Sequence, residues 1–371
     1  MGDLYSSNPI YGHLSRVFPV CPKSSRISFM GECIYIFSPG LDQALTIARL
    51  LRSYYNKRNI IGVTLLDKEF YPSCRLYDLI IPASWVNLNS PDIRLVPTGA
   101  ISTKYLLELR ENITLGQVTL IRSALRVYDK LWMIKQAKEI GVPVPATWSQ
   151  SEEIPGYPVF YKPAFEKGGG NRGIAYKAGD LPKNKNGLIF QEVIQGKGTY
   201  GVAFLAEQGE LLACEMHYEI ESYPKPGGSA VIIERFYDQK LIEYSQRLLK
   251  ALGYSGWGLA EFKYCPSRED YVFMEVNAKF WASCEFTFRN NPLFLKLLFD
   301  IDSKEKPVAR MLFVERAAAR GLWFLLVNFL KLWGKSELCV YPGWPRRLFV
   351  NLVLASASYS RIKKLRALFI I

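Results

Sequence analysis

Acidic and amide side chains set among aromatic ones constrain this chain more than any other feature. In YVFMEVNAKFW, residues 271–281, alternation with period two predicts a strand. Tyr271, Phe273, Glu275, Asn277 and Lys279 fall on one side, and Val272, Met274 and Val276 on the other. A second short strand, Gly258–Phe262, carries Glu261 and is expected to pair with the first across the turn at 265–270. Trp257, Phe262, Phe280 and Trp281 flank these acids and disfavour full exposure. Two carboxylates and an amide oxygen are hard ligands of the kind Mg²⁺ takes, with water and nucleotide phosphates completing the octahedron. The other reading open to these residues is an exposed polar strand face crossed by ion pairs.

The chain has 371 residues, of which 49% are hydrophobic and 14% aromatic, enough to bury a large core. Disorder, collagen-like repeats and a disulfide-stapled miniprotein are excluded. Two histidines argue against a zinc enzyme built on several His ligands. Seven scattered cysteines with no Cys-x-x-Cys spacing read as reduced thiols of a cytosolic protein. The N-terminus lacks a basic region followed by an apolar one, which makes secretion an unfavoured reading, and no run of about 20 apolar residues offers a bilayer span. The net charge of +13 points to a polyanionic partner. It is unevenly placed: residues 302–371 hold thirteen basic and four acidic side chains, +9, and the rest of the chain is nearly balanced.

Short apolar runs alternate with helical spacing from residue 33 onward. CIYIFS (33–38), 60–66, 79–81 and 93–96 read as strands, with helices over 41–55 and 103–110, which implies a small parallel sheet flanked by helices. Asp129 is a good N-cap for a helix over 130–140, stopped by Gly141, Pro143 and Pro145. Strands are expected over 159–163 and 188–194, around the glycine-rich EKGGGNRG (166–173), and a helix over 241–252. Lys162 with this loop forms a further constellation. Lysine is a compact charge suited to phosphate oxygens, and glycines expose backbone N–H groups. No Gly-Lys-Ser/Thr follows, so this is not a Walker A motif, and a flexible surface hairpin is an equal alternative.

Five segments, RVYDKLWMIKQAKEIGVPVP, VFYKPAFEKGGGNRG, IFQEVIQG, WGLAEFKY and FMEVNAKFWAS, stand in one order between residues 33 and 300. Together they resemble the ATP-grasp superfamily and, within it, ligases related to the large subunit of carbamoyl-phosphate synthase. The resemblance implies an α/β (α+β) chain with the ATP-grasp fold. An irregular arm (1–26) would precede a Rossmann-like pre-ATP-grasp domain (27–125). A lid subdomain with a linker helix (126–195), a C-terminal subdomain with the metal site (196–301) and a helical basic extension (302–371) would follow.

By position, the resemblance assigns Lys130 and Lys162 to the α- and β-phosphates of ATP. The loop with Gly168, Gly169 and Gly170 becomes the mobile lid. Gln191, Glu192, Val193 and Ile194 match the hinge whose backbone contacts adenine. Glu261, Glu275 and Asn277 match the magnesium ligands, and the implied cofactors are ATP and Mg²⁺, with Mn²⁺ able to substitute. Lys279 stands where the family usually has an arginine on the transferred phosphate; it keeps the charge and loses the bidentate fork. Thr199 stands where relatives often carry a Glu for the ribose. Glu219 and Glu221 stand where similar ligases often have arginines, and their plain reading is solvated strand residues. Arg235, after the Gly227-Gly228 turn, is a candidate for gripping an anionic intermediate. His217 and Cys284 read as packing residues.

The implied chemistry is activation of a carboxylate as an acyl phosphate and its capture by an amine, with release of ADP. Lys279 and Thr199 also motivate a second reading, a catalytically weak nucleotide-binding scaffold or regulator. The apolar, basic stretch 302–371 suits an anionic membrane surface, and with it a peripheral cytoplasmic location and a membrane-associated or cell-envelope saccharide substrate. Packing on the ligase core or in a homodimer interface is the equal alternative. No nucleic-acid recognition module is recognisable, so nucleic acid is not expected as a partner.

Overall fold

The computed structural model describes residues 33–55, 59–65, 76–88, 90, 93–166, 171–223, 227–321, 323–324, 326–328 and 337–339. The expected arm over 1–26, the glycines Gly168, Gly169 and Gly170, and the basic segment 361–371 lie outside them.

The first unit is a parallel sheet of β1 (Cys33–Phe37), β2 (Asn59–Thr64), β3 (Leu79–Pro82) and β4 (Ile93–Pro97), in the order β3-β2-β1-β4. Its continuous apolar runs follow from cover on both faces. Helix α1 (Asp42–Tyr54) turns Leu45, Ile47, Leu50 and Leu51 inward. Helix α2 (Ala100–Leu109) starts three residues earlier than its apolar spacing suggests. There the Ser102 hydroxyl accepts from the Gly99 N–H at 2.9 Å and closes the first turn. A hairpin the sequence reading missed, β5 (Asn112–Leu115) with β6 (Val118–Ile121), turns at Gly116 with φ +56°. A Cβ there would lie 2.2 Å from the Leu297 carbonyl oxygen, so only glycine fits.

Helix α3 (Lys130–Glu139) begins as expected, with the Asp129 carboxylate accepting from the Trp132 N–H at 3.0 Å. A small sheet follows, β7 (Thr147–Ser149), β8 (Val159–Pro163), β9 (Gly173–Ala175) and β10 (Leu188–Glu192), in the order β7-β10-β8-β9. The largest sheet has seven strands, in the order β15-β14-β11-β12-β13-β16-β17. They are β11 (Thr199–Glu207), β12 (Glu210–Tyr223), β13 (Ser229–Arg235), β14 (Gly256–Cys265), β15 (Asp270–Asn277), β16 (Arg310–Phe313) and β17 (Glu337–Cys339). Helix α4 (Gln239–Leu252) covers one face, burying Leu241, Leu248 and Leu249. Helices α5 (Cys284–Asn290), α6 (Leu293–Phe299) and α7 (Val314–Ala319) follow β15 in the chain. One hydrophobic cluster runs from the first sheet through the hairpin into the large sheet, with Trp257 and Phe280 stacked at 5.2 Å in its middle.

Two expectations need correction. The alternation along 271–279 breaks at Met274, because Glu275 pairs with Glu261 whereas Phe273 pairs with Phe262. One extra residue in β15 makes a bulge. Phe273 is thereby turned away from Glu275 and buried against Phe262 at 5.6 Å. Val272 and Met274 instead pack with Ile194 and Cys265. In the 302–371 stretch, expected to be helical, α7 and the helical residues 323–324 and 326–328 are joined by β16 and β17, which extend the large sheet. No helix among the described residues is long and apolar enough to cross a membrane.

Arg316 of α7 ties the units together. Its guanidinium donates to the Asp42 carboxylate, the Ala230 carbonyl and the Ala282 carbonyl, each at 2.7 Å, and lies 4.0 Å from the Phe313 ring centroid. Those partners belong to the parallel sheet's first helix, strand β13 and the turn after β15. The change Arg316→Met should therefore destabilise the fold by about 3 kcal/mol, since it removes a charged partner of Asp42 and the donor to two carbonyls. Chemical denaturation measures this, and a loss below about 1 kcal/mol contradicts it.

Candidate active site

Residues directly opposed on neighbouring antiparallel strands share a face. The register therefore places Glu275, Glu261, Gly201, His217 and Arg235 in one row across β15, β14, β11, β12 and β13. The bulge at Met274 brings the two acids opposite one another. Asn277, 5% exposed, donates its amide to Glu261 at 3.0 Å and to Glu275 at 3.3 Å.

The small sheet supplies the countercharge. Lys162 on β8 donates to Glu275 at 3.0 Å and to the Met274 carbonyl at 3.4 Å. Lys130, the first residue of α3, is held where residues 128–130 pair with residues 164–166: its N–H donates to Ala164 and the Glu166 N–H donates to Tyr128. This pairing puts the Glu166 carboxylate 2.9 Å from the Lys130 ammonium and 3.2 Å from that of Lys279. Lys130 also lies 4.0 Å from Glu275. The Tyr128 hydroxyl fixes the Ala278 carbonyl at 2.9 Å, which sets where Lys279 emerges.

These contacts decide the protonation states. Burial alone would raise Glu275, but Lys162 and Lys130 outweigh it and hold it well below the usual carboxylate range. Glu166 behaves likewise: burial opposes its charge, and Lys279 and Lys130 prevail. Glu261 has weaker cationic support, and burial together with the charges of Glu275 and Glu219 pushes it above the usual carboxylate range. Two close carboxylates, one ionised and one inclined to hold its proton, are a donor set that a divalent cation suits. Asn277 now presents Nδ2 to both acids; a half-turn of its amide would present Oδ1 to an ion between them. The residues present thus fit Mg²⁺.

The remaining expected residues take different positions. Gln191, fully buried, donates to the Thr147 hydroxyl at 3.0 Å and leaves Oε1 without a partner among the described residues. Glu192 is committed to structure: its carboxylate receives Arg268 at 2.5 Å and the Ala146 N–H at 2.9 Å. Val193 lines a cavity of about 350 Å³ with Trp148, Tyr157 and Val159, and Ile194 packs on Cys265. Arg235 lies three strand spacings from Glu261, about 14 Å, so it does not join the lysines. It is mostly exposed and pairs with Glu215 at 3.4 Å.

Thr199 is directly opposite Glu219, which burial pushes up to about 7 against the charges of Lys263 and Arg316. Glu221 pairs with Arg320. The plain reading of these two acids as solvated therefore gives way to partly buried ones, of which Glu221 is ion-paired. Sequence reasoning also missed the reach of Glu166 to two lysines and the role of Arg268. The four-residue spacing from Lys162 to Glu166, just before three glycines, is the one available signal.

His217 is buried, packs over Gly201 and lies 6.2 Å from the Phe286 ring, and its Nδ1 has no partner among the described residues. Burial depresses its pKa from 6.5 to about 4. The unfolded chain takes up a proton as pH falls below about 6.5, whereas the folded chain resists until about 4. Stability from this group is therefore whole above pH 6.5 and lost on acidification, by about 2 kcal/mol at pH 5. Thermal unfolding of His217→Leu at pH 7 and pH 5 should show a smaller acid-induced drop than the parent. An equal drop refutes this.

No protein-family model and no curated protein matches the sequence. Solved structures do match in fold. The L-amino acid ligase of Bacillus licheniformis aligns over 76% of this chain and 79% of its own, with a TM-score of 0.55 and 11% identity. The biotin carboxylase domain of the Hydrogenobacter thermophilus 2-oxoglutarate carboxylase, solved with MgADP, ADP and bicarbonate, aligns over 76% of this chain and 72% of its own, with a TM-score of 0.54 and 13% identity. Pyruvate carboxylase of Rhizobium etli gives a TM-score of 0.55 and 13% identity over 71% of this chain, which spans 28% of that enzyme. The sheets, their order and these matches together show that this chain has the ATP-grasp fold.

Proposed function

We propose that this protein is an ATP-dependent ligase that joins a carboxylate to an amine. The observation that carries this reading is the meeting of Lys130, Lys162 and Lys279 with Glu261, Glu275 and Asn277, where the small sheet faces the large one. Phosphoryl transfer asks for cations and metal ligands around developing charge, placed before the reaction begins. In this reading Lys130 and Lys162 bind the nucleotide phosphates, and Lys279 sits nearest the transferred group. Glu261, Glu275 and Asn277 would hold Mg²⁺, which offsets phosphate charge when bound. A carboxylate oxygen of the substrate takes the γ-phosphoryl group and ADP departs. The amine then attacks the acyl carbon, phosphate leaves, and the nitrogen gives up a proton.

Arg235, three strand spacings from Glu261, is suited to an anionic group of a substrate lying along the Gly201–His217 row. The ligase and carboxylase names among the fold matches support the reaction class.

The test is ADP release from the purified chain with ATP, Mg²⁺ and paired panels of acids and amines. Release should require both members of a pair. Glu275→Gln and Lys162→Met should each lower turnover by about a hundredfold or more. Nucleotide binding without turnover for any pair, unaltered by Glu275→Gln, would favour the scaffold reading that Lys279 and Thr199 motivate. A membrane-associated saccharide substrate rests on the +9 charge of residues 302–371 alone. Salt-sensitive pelleting of the full chain with phosphatidylserine vesicles, and not with neutral ones, is its expected signature. Equal pelleting with both removes the membrane from the proposal.

A further inference from the structure

The side chain between Lys130 and Lys279 is Glu166, and it belongs to neither the metal ligands nor the phosphate-binding lysines. Its carboxylate spans both ammonium groups, one oxygen on each, at 2.9 and 3.2 Å. It is placed by backbone pairing with Tyr128, not by chance rotation of a long surface side chain. All three lysines of the cluster are thus engaged by carboxylates, Lys130 and Lys279 by Glu166 and Lys162 by Glu275. Lys130 and Lys162 are only 6% and 7% exposed. Neither the 350 Å³ cavity beside Val193 nor a 710 Å³ groove along α3 and Arg268 is lined by this cluster. A second, independent contact lies close to it in sequence. Arg172, six residues on, donates to the Gly227 carbonyl at 2.6 Å, reaching from the small sheet to the β12–β13 turn.

We propose that Glu166 is a specificity-determining residue, an internal anion that competes with the nucleotide for Lys130 and Lys279. The inference rests on the nucleotide-binding reading given above. Its physical content is that an incoming ligand gains these two lysines only by displacing a carboxylate already paired with them. The cost falls only on ligands whose phosphates reach the pair. A polyphosphate must displace the carboxylate to engage all three cations, whereas a nucleoside monophosphate too short to reach the pair leaves it in place. The glutamate thereby lowers affinity for every ligand that needs the two lysines and narrows the preference for nucleoside triphosphate or diphosphate over monophosphate. A latched fraction of about nine-tenths would weaken apparent binding about tenfold.

Calorimetric titration of the full chain with ATP, ADP and AMP in the presence of Mg²⁺ tests this, using Glu166→Gln and Glu166→Asp beside the parent. Lys162→Met serves as a reference that should weaken binding in either case. Glu166→Gln should bind ATP and ADP about tenfold more tightly than the parent and AMP about equally, so that its preference for ATP over AMP widens, with Glu166→Asp between them. Thermal unfolding shows whether each variant is folded, and the aspartate variant, which keeps the charge, serves if the glutamine variant is not. Unchanged or weaker ATP binding in Glu166→Gln, with a parent that binds ATP and loses it in Lys162→Met, overturns the role of Glu166 alone. A folded parent that binds no nucleotide overturns the nucleotide reading and this inference with it.

Discussion

The structure depends on a charge problem that neither half of the molecule solves alone. Strands β14 and β15 bring Glu261 and Glu275 face to face in a sheet whose neighbours include Trp257, Phe262 and Phe280. Such carboxylates, removed from water, are tolerable only with cations within reach, and no basic residue in β15 supplies one. Lys162 and Lys130 come from the other side of the crevice, from β8 and the start of α3. The docking of the small sheet on the large one is thus an ion-pair network as well as a packing interface. Loss of a single member of such a network leaves an uncompensated charge, at a cost of about 3–5 kcal/mol for a well-buried pair. In the proposed reading, a site for phosphates and a seam of the fold are the same set of side chains.

The bulge at Met274 is the local device that makes this arrangement work. In a regular strand Phe273 and Glu275 would share a face, and either the phenyl ring would enter the polar crevice or the acid would enter the core. One extra residue separates them. Phe273 goes to the core against Phe262, and Met274 joins Ile194, Val272 and Cys265 in an apolar floor beside the acids. A polar row thus lies next to an apolar patch, both on one sheet face.

Much of this was legible in the sequence, for identifiable reasons. The continuous runs at β1, β2 and β4 and the Asp129 cap depend on local chemistry and survive in the structure with small shifts at their ends. The acid pair was legible because charged residues among aromatic ones are rare without a purpose. What failed was whatever depended on partners distant in sequence. The bulge needs the register against β14. The hairpin at Gly116 needs the Leu297 carbonyl that presses on it. Strands β16 and β17 need β13 and one another, and a short apolar segment such as Arg310–Phe313 reads equally well as part of a helix. Arg235 reads from type and order as a grip for an anionic intermediate, and the count of strands adds that it stands three spacings from Glu261 along the row.

Lysine at position 279 acquires a physical meaning in this setting. An arginine there could engage the Glu166 carboxylate through a planar, two-pronged contact, and that geometry resists exchange of one anion for another. An ammonium at 3.2 Å is a point charge on a flexible stem, and it can leave one oxygen and find the next with little reorganisation. In the proposed reading, the loss of the fork weakens the grip on a transferred phosphate. It also weakens the grip on the internal carboxylate by a comparable amount, since both contacts use the same nitrogen. Position 279 and position 166 are thus one electrostatic unit, and the consequence of a lysine at the first depends on the glutamate at the second.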